Sequence, residues 1–130
     1  MIDLTPTRPK ALVLVLAVWA VMYLPHLGTP ELKGEEGRRV LPALEMVDGG
    51  SWIVPRVGGE PYANKPPGIN WLVAAAVMVT GSRAEWAVRL PSVLLVGAFA
   101  VLLVATRARW LDLRGRLAAA LMFLTSVGVI

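Results

Sequence analysis

The chain has 130 residues, 56% hydrophobic and 17% charged, with a net charge of +4. Its apolar residues are gathered into blocks, a membrane composition that argues against an ordinary water-soluble domain. Cysteine is absent, which excludes a disulfide framework and the zinc sets that need Cys, and the basic residues flank apolar blocks without forming a nucleic-acid-binding stripe.

The first apolar block runs from Ala11 to Pro30 without a formal charge, behind Arg8 and Lys10. About 20 residues cross a hydrocarbon core, so this block is long enough. A signal peptide has a similar make-up, but the sequence after it, MYLPHLGTP, offers no small-x-small cleavage site. An uncleaved helix over about 11–27 is expected, with its basic end cytoplasmic. His26, the single histidine, fits an interfacial polar residue and is too isolated for a metal site.

A long polar segment follows, about 28–89, and it is expected to be external. It holds most of the acids, Glu31, Glu35, Glu36, Glu45, Asp48 and Glu60, interleaved with Lys33, Arg38, Arg39, Arg56 and Lys65. Within it Val40, Ala43, Leu44 and Val47 fall at i, i+3, i+4 and i+7, one apolar stripe of an interfacial helix over about 36–48. Glu35, Arg38, Arg39 and Pro42 fall on the opposite face, and Gly49-Gly50 ends the helix. Proline past the first turn removes a helical hydrogen bond. A later start, near Leu41 with Glu35 and Glu36 in the loop before it, is therefore also open.

SWIVPRVGGEPY reads as extended chain turning at Gly58-Gly59, with Pro61 stopping regular pairing. Lys65 precedes Pro66 and so is biased to extended conformation, and Pro67 suits a first helical turn. The second apolar block, Ile69 to Val79, has eleven residues and contains Asn70. A helix over about 67–80 is expected there, too short to span and so interfacial, re-entrant or buried.

The third block, Leu90 to Thr106, is bracketed by Arg89 and Arg107. The loop RARWLDLRGR then carries Arg107, Arg109, Arg114 and Arg116 against Asp112, a pattern that favours the cytoplasmic side. A fourth block starts at Leu117 and is still apolar at Ile130. Spans over about 11–27, 90–106 and 117–130 satisfy this charge pattern, and the chain reads as the N-terminal part of a larger membrane protein.

The order of these motifs resembles the membrane glycosyltransferases of the GT-C fold that use polyprenyl-phosphate sugars, relatives of the lipid A aminoarabinose transferase and the protein O-mannosyltransferases. The residues that carry the resemblance are Glu35-Glu36-Gly37-Arg38, Glu45-Met46 with Gly50 and Trp52, and Pro55. After them come Gly59-Glu60-Pro61-Tyr62, Lys65-Pro66-Pro67 with Trp71, and RLPS ahead of an apolar span. Together they cover about Gly34 to Ser92. Glu35 stands where that family usually has Asp. The resemblance implies an all-α membrane protein, the N-terminal part of a multi-spanning helical bundle with an external segment of short juxtamembrane helices. It implies an inverting transfer of a sugar from a polyprenyl-phosphate donor to an acceptor hydroxyl at the external face of the inner membrane.

That reaction needs a carboxylate to take the acceptor's proton and cations to meet charge on the departing phosphate. Glu35 is the candidate base. Lys65 and Arg38 suit the phosphate, and Glu36, Glu60, Tyr62 or Asn64 suit the sugar. The implied partners are the donor lipid, an acceptor that is a lipid, a protein or a glycan, and membrane lipids; nucleic acid is not among them. No cofactor is assigned, although paired Glu35 and Glu36 can hold a divalent metal. Ordinary alternatives stand beside these roles. Glu35 with Arg38 and Arg39 also reads as helix surface pairing, and Lys65 as a lysine snorkelling from a helix end. The corresponding alternative function is a non-catalytic membrane protein that binds lipid phosphates or supports a complex.

Overall fold

A computed structural model describes residues 7–28, 32, 34–107 and 110–126. Glu31, Lys33, Arg109 and the end of the fourth apolar block, 127–130, lie outside the described residues. Five helices are described: α1 Arg8–Tyr23, α2 Glu35–Val47, α3 Gly68–Thr80, α4 Glu85–Ala105 and α5 Leu113–Ser126. A 3-10 turn, Leu24–His26, prolongs α1. The one hairpin among the described residues pairs β1 Arg56–Val57 with β2 Glu60–Pro61, antiparallel. Two helices are long and apolar enough to cross a membrane, Arg8–His26 and Glu85–Ala105. With 13 residues, α3 is about 20 Å long, against the roughly 30 Å of a hydrocarbon core.

The chain divides into two units, 1–26 with 93–130, and 27–92. The division runs through α4, just after Ser92.

In the first unit the core is Ala11, Val15 and Tyr23 of α1, Ala100 and Val104 of α4, and Ala120 and Leu124 of α5. Alanines at these contacts let helix backbones approach closely, which is how apolar helices pack when the surroundings are as apolar as they are. Two aromatic side chains use their polar ends inside this packing. Tyr23 donates from its hydroxyl to the Leu124 carbonyl at 2.9 Å. Trp19 donates from Nε1 to the Val93 carbonyl at 2.9 Å. Gly97 lies against that indole, where a Cβ would sit 2.8 Å from ring atoms. The Arg-rich loop also does local structural work. Asp112 accepts from the Gly115 amide at 2.8 Å as the N-cap of α5. Arg116 donates to the carbonyls of Thr106 at 2.5 Å and Val104 at 3.3 Å, closing the C-terminal end of α4.

The second unit is built on α2 packed against α3, with Val40, Ala43 and Met46 meeting Val73, Ala74 and Val77, and Val88 of α4. Two expectations for α2 need correction. The helix begins at Glu35, not near Leu41, and Pro42 lies within it. Pro42 is also fully buried and does not belong to the polar face. The ring is shielded from solvent, while the missing amide leaves the Arg38 carbonyl without its usual helical donor. Next to that carbonyl, Asn70 of α3 donates from Nδ2 to the Arg39 carbonyl at 2.7 Å. Supplying a donor from a neighbouring helix is a common way for apolar helices to tolerate proline.

The C-terminal end of α2 positions the hairpin. Gly50 donates its amide to the Glu45 carbonyl at 2.8 Å, an approach so close that a Cβ there would meet the same oxygen at 2.6 Å. The Glu45 carboxylate accepts from the amides of Gly58 and Gly59 at the hairpin turn, the latter at 3.4 Å. Both turn glycines have positive φ, 64° and 83°, which a side chain would strain. Pro61 is the final residue of β2, opposite Arg56, and the Tyr62 amide then bonds to the Pro55 carbonyl at 2.7 Å.

Candidate functional site

Two consecutive carboxylates open α2. Adjacent residues on a helix point about 100° apart, so Glu35 and Glu36 face different surroundings. Glu35 is exposed and meets two cations. Lys65, from the loop before α3, donates from Nζ to Oε2, and Arg38, one turn on, donates from Nη1 to Oε1 at 3.2 Å. Glu36 turns to α4, where Arg89 grips both carboxylate oxygens with one edge of its guanidinium. Nη2 meets Oε2 at 3.0 Å and Nε meets Oε1 at 3.2 Å. Arg89 Nη1 also donates to the Leu27 carbonyl at 3.2 Å.

Local sequence explains each placement. Gly34 precedes the helix with φ 55°, which turns the chain so that both acids fall in the first turn. Carboxylates there also face the positive end of the helix dipole. Lys65 is followed by two prolines, and Pro67 is the N-cap residue of α3, so the lysine is fixed two residues before the helix cap. The free amides of that first turn add positive potential beside it.

These contacts set the ionisation of Glu35. The Lys65 hydrogen bond first, then the Lys65 charge, with Arg38 adding less, hold its carboxyl below the usual carboxylate range. Glu35 is therefore an anion at neutral pH, able to accept a proton. At the far end of α2, Asp48 is lowered in the same way by its hydrogen bonds with Arg83, whose guanidinium is raised in turn.

The structure thus brings Glu35, Arg38 and Lys65 together in one cluster, with Glu36 beside it on the same helical turn. It does not join Glu60 or Tyr62 to that cluster. Glu60 lies on β2 and Tyr62 just after it, and among the described residues no side-chain hydrogen bond or ion pair links either to Glu35, Arg38 or Lys65. Nor do Glu35 and Glu36 form a joint metal-donor set. Their carboxylates are held by different cations, and no group of three metal-ligating side chains occurs among the described residues.

Four structural contributors escaped sequence reasoning. Arg89 read only as the bracket of the third apolar block and the start of the RLPS motif, Asn70 only as a polar residue in the short second block, Glu45 only as an acid of the external segment and of the family pattern, and Arg83 had no reading. The available signal was the same for Arg89 and Asn70, a strongly polar side chain set in apolar sequence, which has to find a partner.

Residues 64–130 match the family model for dolichyl-phosphate-mannose-protein mannosyltransferase. The chain belongs to this family. The matched region takes in Lys65 and Arg89, and Glu35 and Glu36 precede it. Among individual proteins, the chain is similar to the undecaprenyl phosphate-alpha-4-amino-4-deoxy-L-arabinose arabinosyl transferase of Pseudomonas savastanoi pv. phaseolicola. The two are 33% identical over 114 residues, 86% of this chain and 21% of that protein. It is similar also to arabinosyl transferases 2 and 1 of that description from Pseudomonas fluorescens. Number 2 is 34% identical over 117 residues, 88% of this chain and 20% of the relative, and number 1 is 33% identical over 121 residues, 92% and 22%. The chain thus spans about a fifth of the length of the curated relatives it matches. No solved structure matches it. Family membership and the two apolar helices together identify a membrane protein.

Proposed function

We propose that the protein is a glycosyltransferase that moves a sugar from a polyprenyl-phosphate donor to an acceptor hydroxyl, with inversion at the anomeric carbon. The observation that carries this reading is Glu35, an ionised carboxylate at an open helix start, bonded directly to Lys65 and Arg38. In the proposed step the acceptor oxygen attacks the anomeric carbon as its proton passes to Glu35. The bond from that carbon to the phosphate oxygen breaks, and its electron pair stays on the phosphate. Lys65 and Arg38 meet the charge that develops there. Glu36 contacts the sugar, and Glu60 and Tyr62 of the hairpin segment are its further candidate contacts.

The pairing of base and cation has a kinetic consequence. A donor phosphate that draws Lys65 away removes the largest cause of the lowered Glu35 pKa. The carboxylate becomes a stronger base when the donor is in place. The Arg-rich loop at 107–116 favours the cytoplasmic side, which supports an external position for residues 28–89 and an inner-membrane location with the N-terminus inside. The acceptor is a lipid, a protein or a glycan hydroxyl. The names of the relatives make undecaprenyl phosphate-4-amino-4-deoxy-L-arabinose the first donor to test.

The test is transfer of radiolabelled sugar from that donor by the full protein in proteoliposomes. Glu35→Gln should lower the rate by about 10²–10⁴-fold, the usual contribution of a general base, and Glu35→Asp should retain activity. Equal rates for wild type and Glu35→Gln remove Glu35 from the role of base. Binding of polyprenyl phosphate without any transfer favours the non-catalytic reading.

A further inference from the structure

We infer that Arg89 is a positioning residue, one that aims the Glu36 carboxylate at the sugar headgroup without touching the substrate itself; this rests on the proposed role of Glu36. The case begins with burial. Arg89 is only 9% exposed, whereas its partner Glu36 is 44% exposed. The guanidinium is inside and the carboxylate is at the surface, so the pair has one sealed side and one open side.

Burying a guanidinium is costly, and an apolar side chain of similar volume commonly stabilises a fold as well or better. An arginine at the start of an apolar span therefore supplies something that leucine would not. Its planar fork contacts both carboxylate oxygens, at 3.0 and 3.2 Å, and its remaining edge is fixed on the Leu27 carbonyl at 3.2 Å. Neighbouring Ala87 and Val88 are buried, and Val88 packs with α2 and α3, so the arginine springs from a firmly held turn. A bidentate grip of this kind removes the rotation that a lone glutamate would keep.

The consequence lies on the open side. Each carboxylate oxygen can accept two hydrogen bonds. Arg89 uses one on each, and the side chain is 44% exposed, so the others stay open to solvent. Glu36 is thereby a pre-aimed pair of acceptors suited to the hydroxyl or amino groups of a sugar, one residue along the helix from the proposed base. Glu35, held by flexible exposed partners, remains free to exchange them.

The experiment uses the full protein in lipid nanodiscs and measures binding of bare undecaprenyl phosphate and of the same lipid carrying 4-amino-4-deoxy-L-arabinose. The readout is the ratio of the two Kd values, which reports headgroup recognition alone. Arg89→Gln should cut the preference for the sugar-bearing lipid roughly tenfold, the loss of about one charge-assisted hydrogen bond, with bare-lipid binding unchanged. Glu36→Gln should cut it similarly, and the double variant no further, because both act through one carboxylate. Arg89→Lys, which keeps the charge and loses the fork, should be intermediate and guards against a failure of Arg89→Gln to fold.

A ratio unaltered in both Arg89 variants, while Glu36→Gln collapses it, overturns the positioning role and leaves the Glu36 reading intact. An unaltered ratio in Glu36→Gln overturns the Glu36 reading and the inference with it. Equal weakening of both lipids in both Arg89 variants assigns Arg89 a purely structural part and also overturns it.

Discussion

Asn70 makes a claim about α2 that can be measured without any substrate. Its side chain is 5% exposed and gives its amide to the Arg39 carbonyl at 2.7 Å. Asn70→Leu keeps the volume and removes the donor. The Arg39 carbonyl keeps its own helical donor, the Ala43 amide, so what is lost is one side-chain hydrogen bond, about 0.5–1.5 kcal/mol. The expected loss is about 1 kcal/mol, concentrated where Pro42 already removes one helical bond. A local loss of that size raises the population of opened α2 about fivefold. Hydrogen exchange followed by mass spectrometry on the full protein in detergent reads this directly. Amides from Val40 to Val47 should exchange about fivefold faster, with those of α1 unchanged as the internal reference. Unchanged or slower exchange in α2 would show that the helix satisfies its own carbonyls across Pro42 and that Asn70 is merely tolerated.

Two further outcomes are expected. Because Lys65 holds the Glu35 carboxyl below the ordinary range, the ionised state persists as pH falls through that range and is lost only at the lowered value. Lys65→Ala should therefore move the acidic limb of kcat/KM for the donor, which reports the donor-free protein, to higher pH; a limb that stays in place would detach Lys65 from Glu35. Gly50→Ala places a Cβ 2.6 Å from the Glu45 carbonyl oxygen, a backbone atom that cannot swing aside. It should cost about 1–3 kcal/mol as overpacking, seen as a lower melting temperature and faster exchange at the Gly58-Gly59 turn, and an unchanged melting curve would contradict the observed close approach.

What the sequence alone determined is what depends on near neighbours. The period of Val40, Ala43 and Val47 marks the face that α2 buries, because one stripe per 3.6 residues is a property of the helix itself. Gly58-Gly59 marks a turn because positive φ is a property of the residue. The shortness of the block around α3, and the prolines that fix Lys65, belong to the same class. Tertiary structure decided the rest. Pro42 looked polar-faced and helix-breaking, yet it is fully buried inside α2, and Asn70 offers a donor beside the gap it leaves. Glu35 and Glu36 are chemically alike and adjacent, and nothing in their order says that one meets Lys65, 30 positions on, while the other meets Arg89, 53 positions on. The reason is physical. An ion pair depends on distance in space, and only the packing of α2 against α3 and the first turn of α4 brings those side chains within reach. Burial then separates their parts, leaving Glu35 among exchangeable surface cations and fixing Glu36 on a guanidinium that water barely touches.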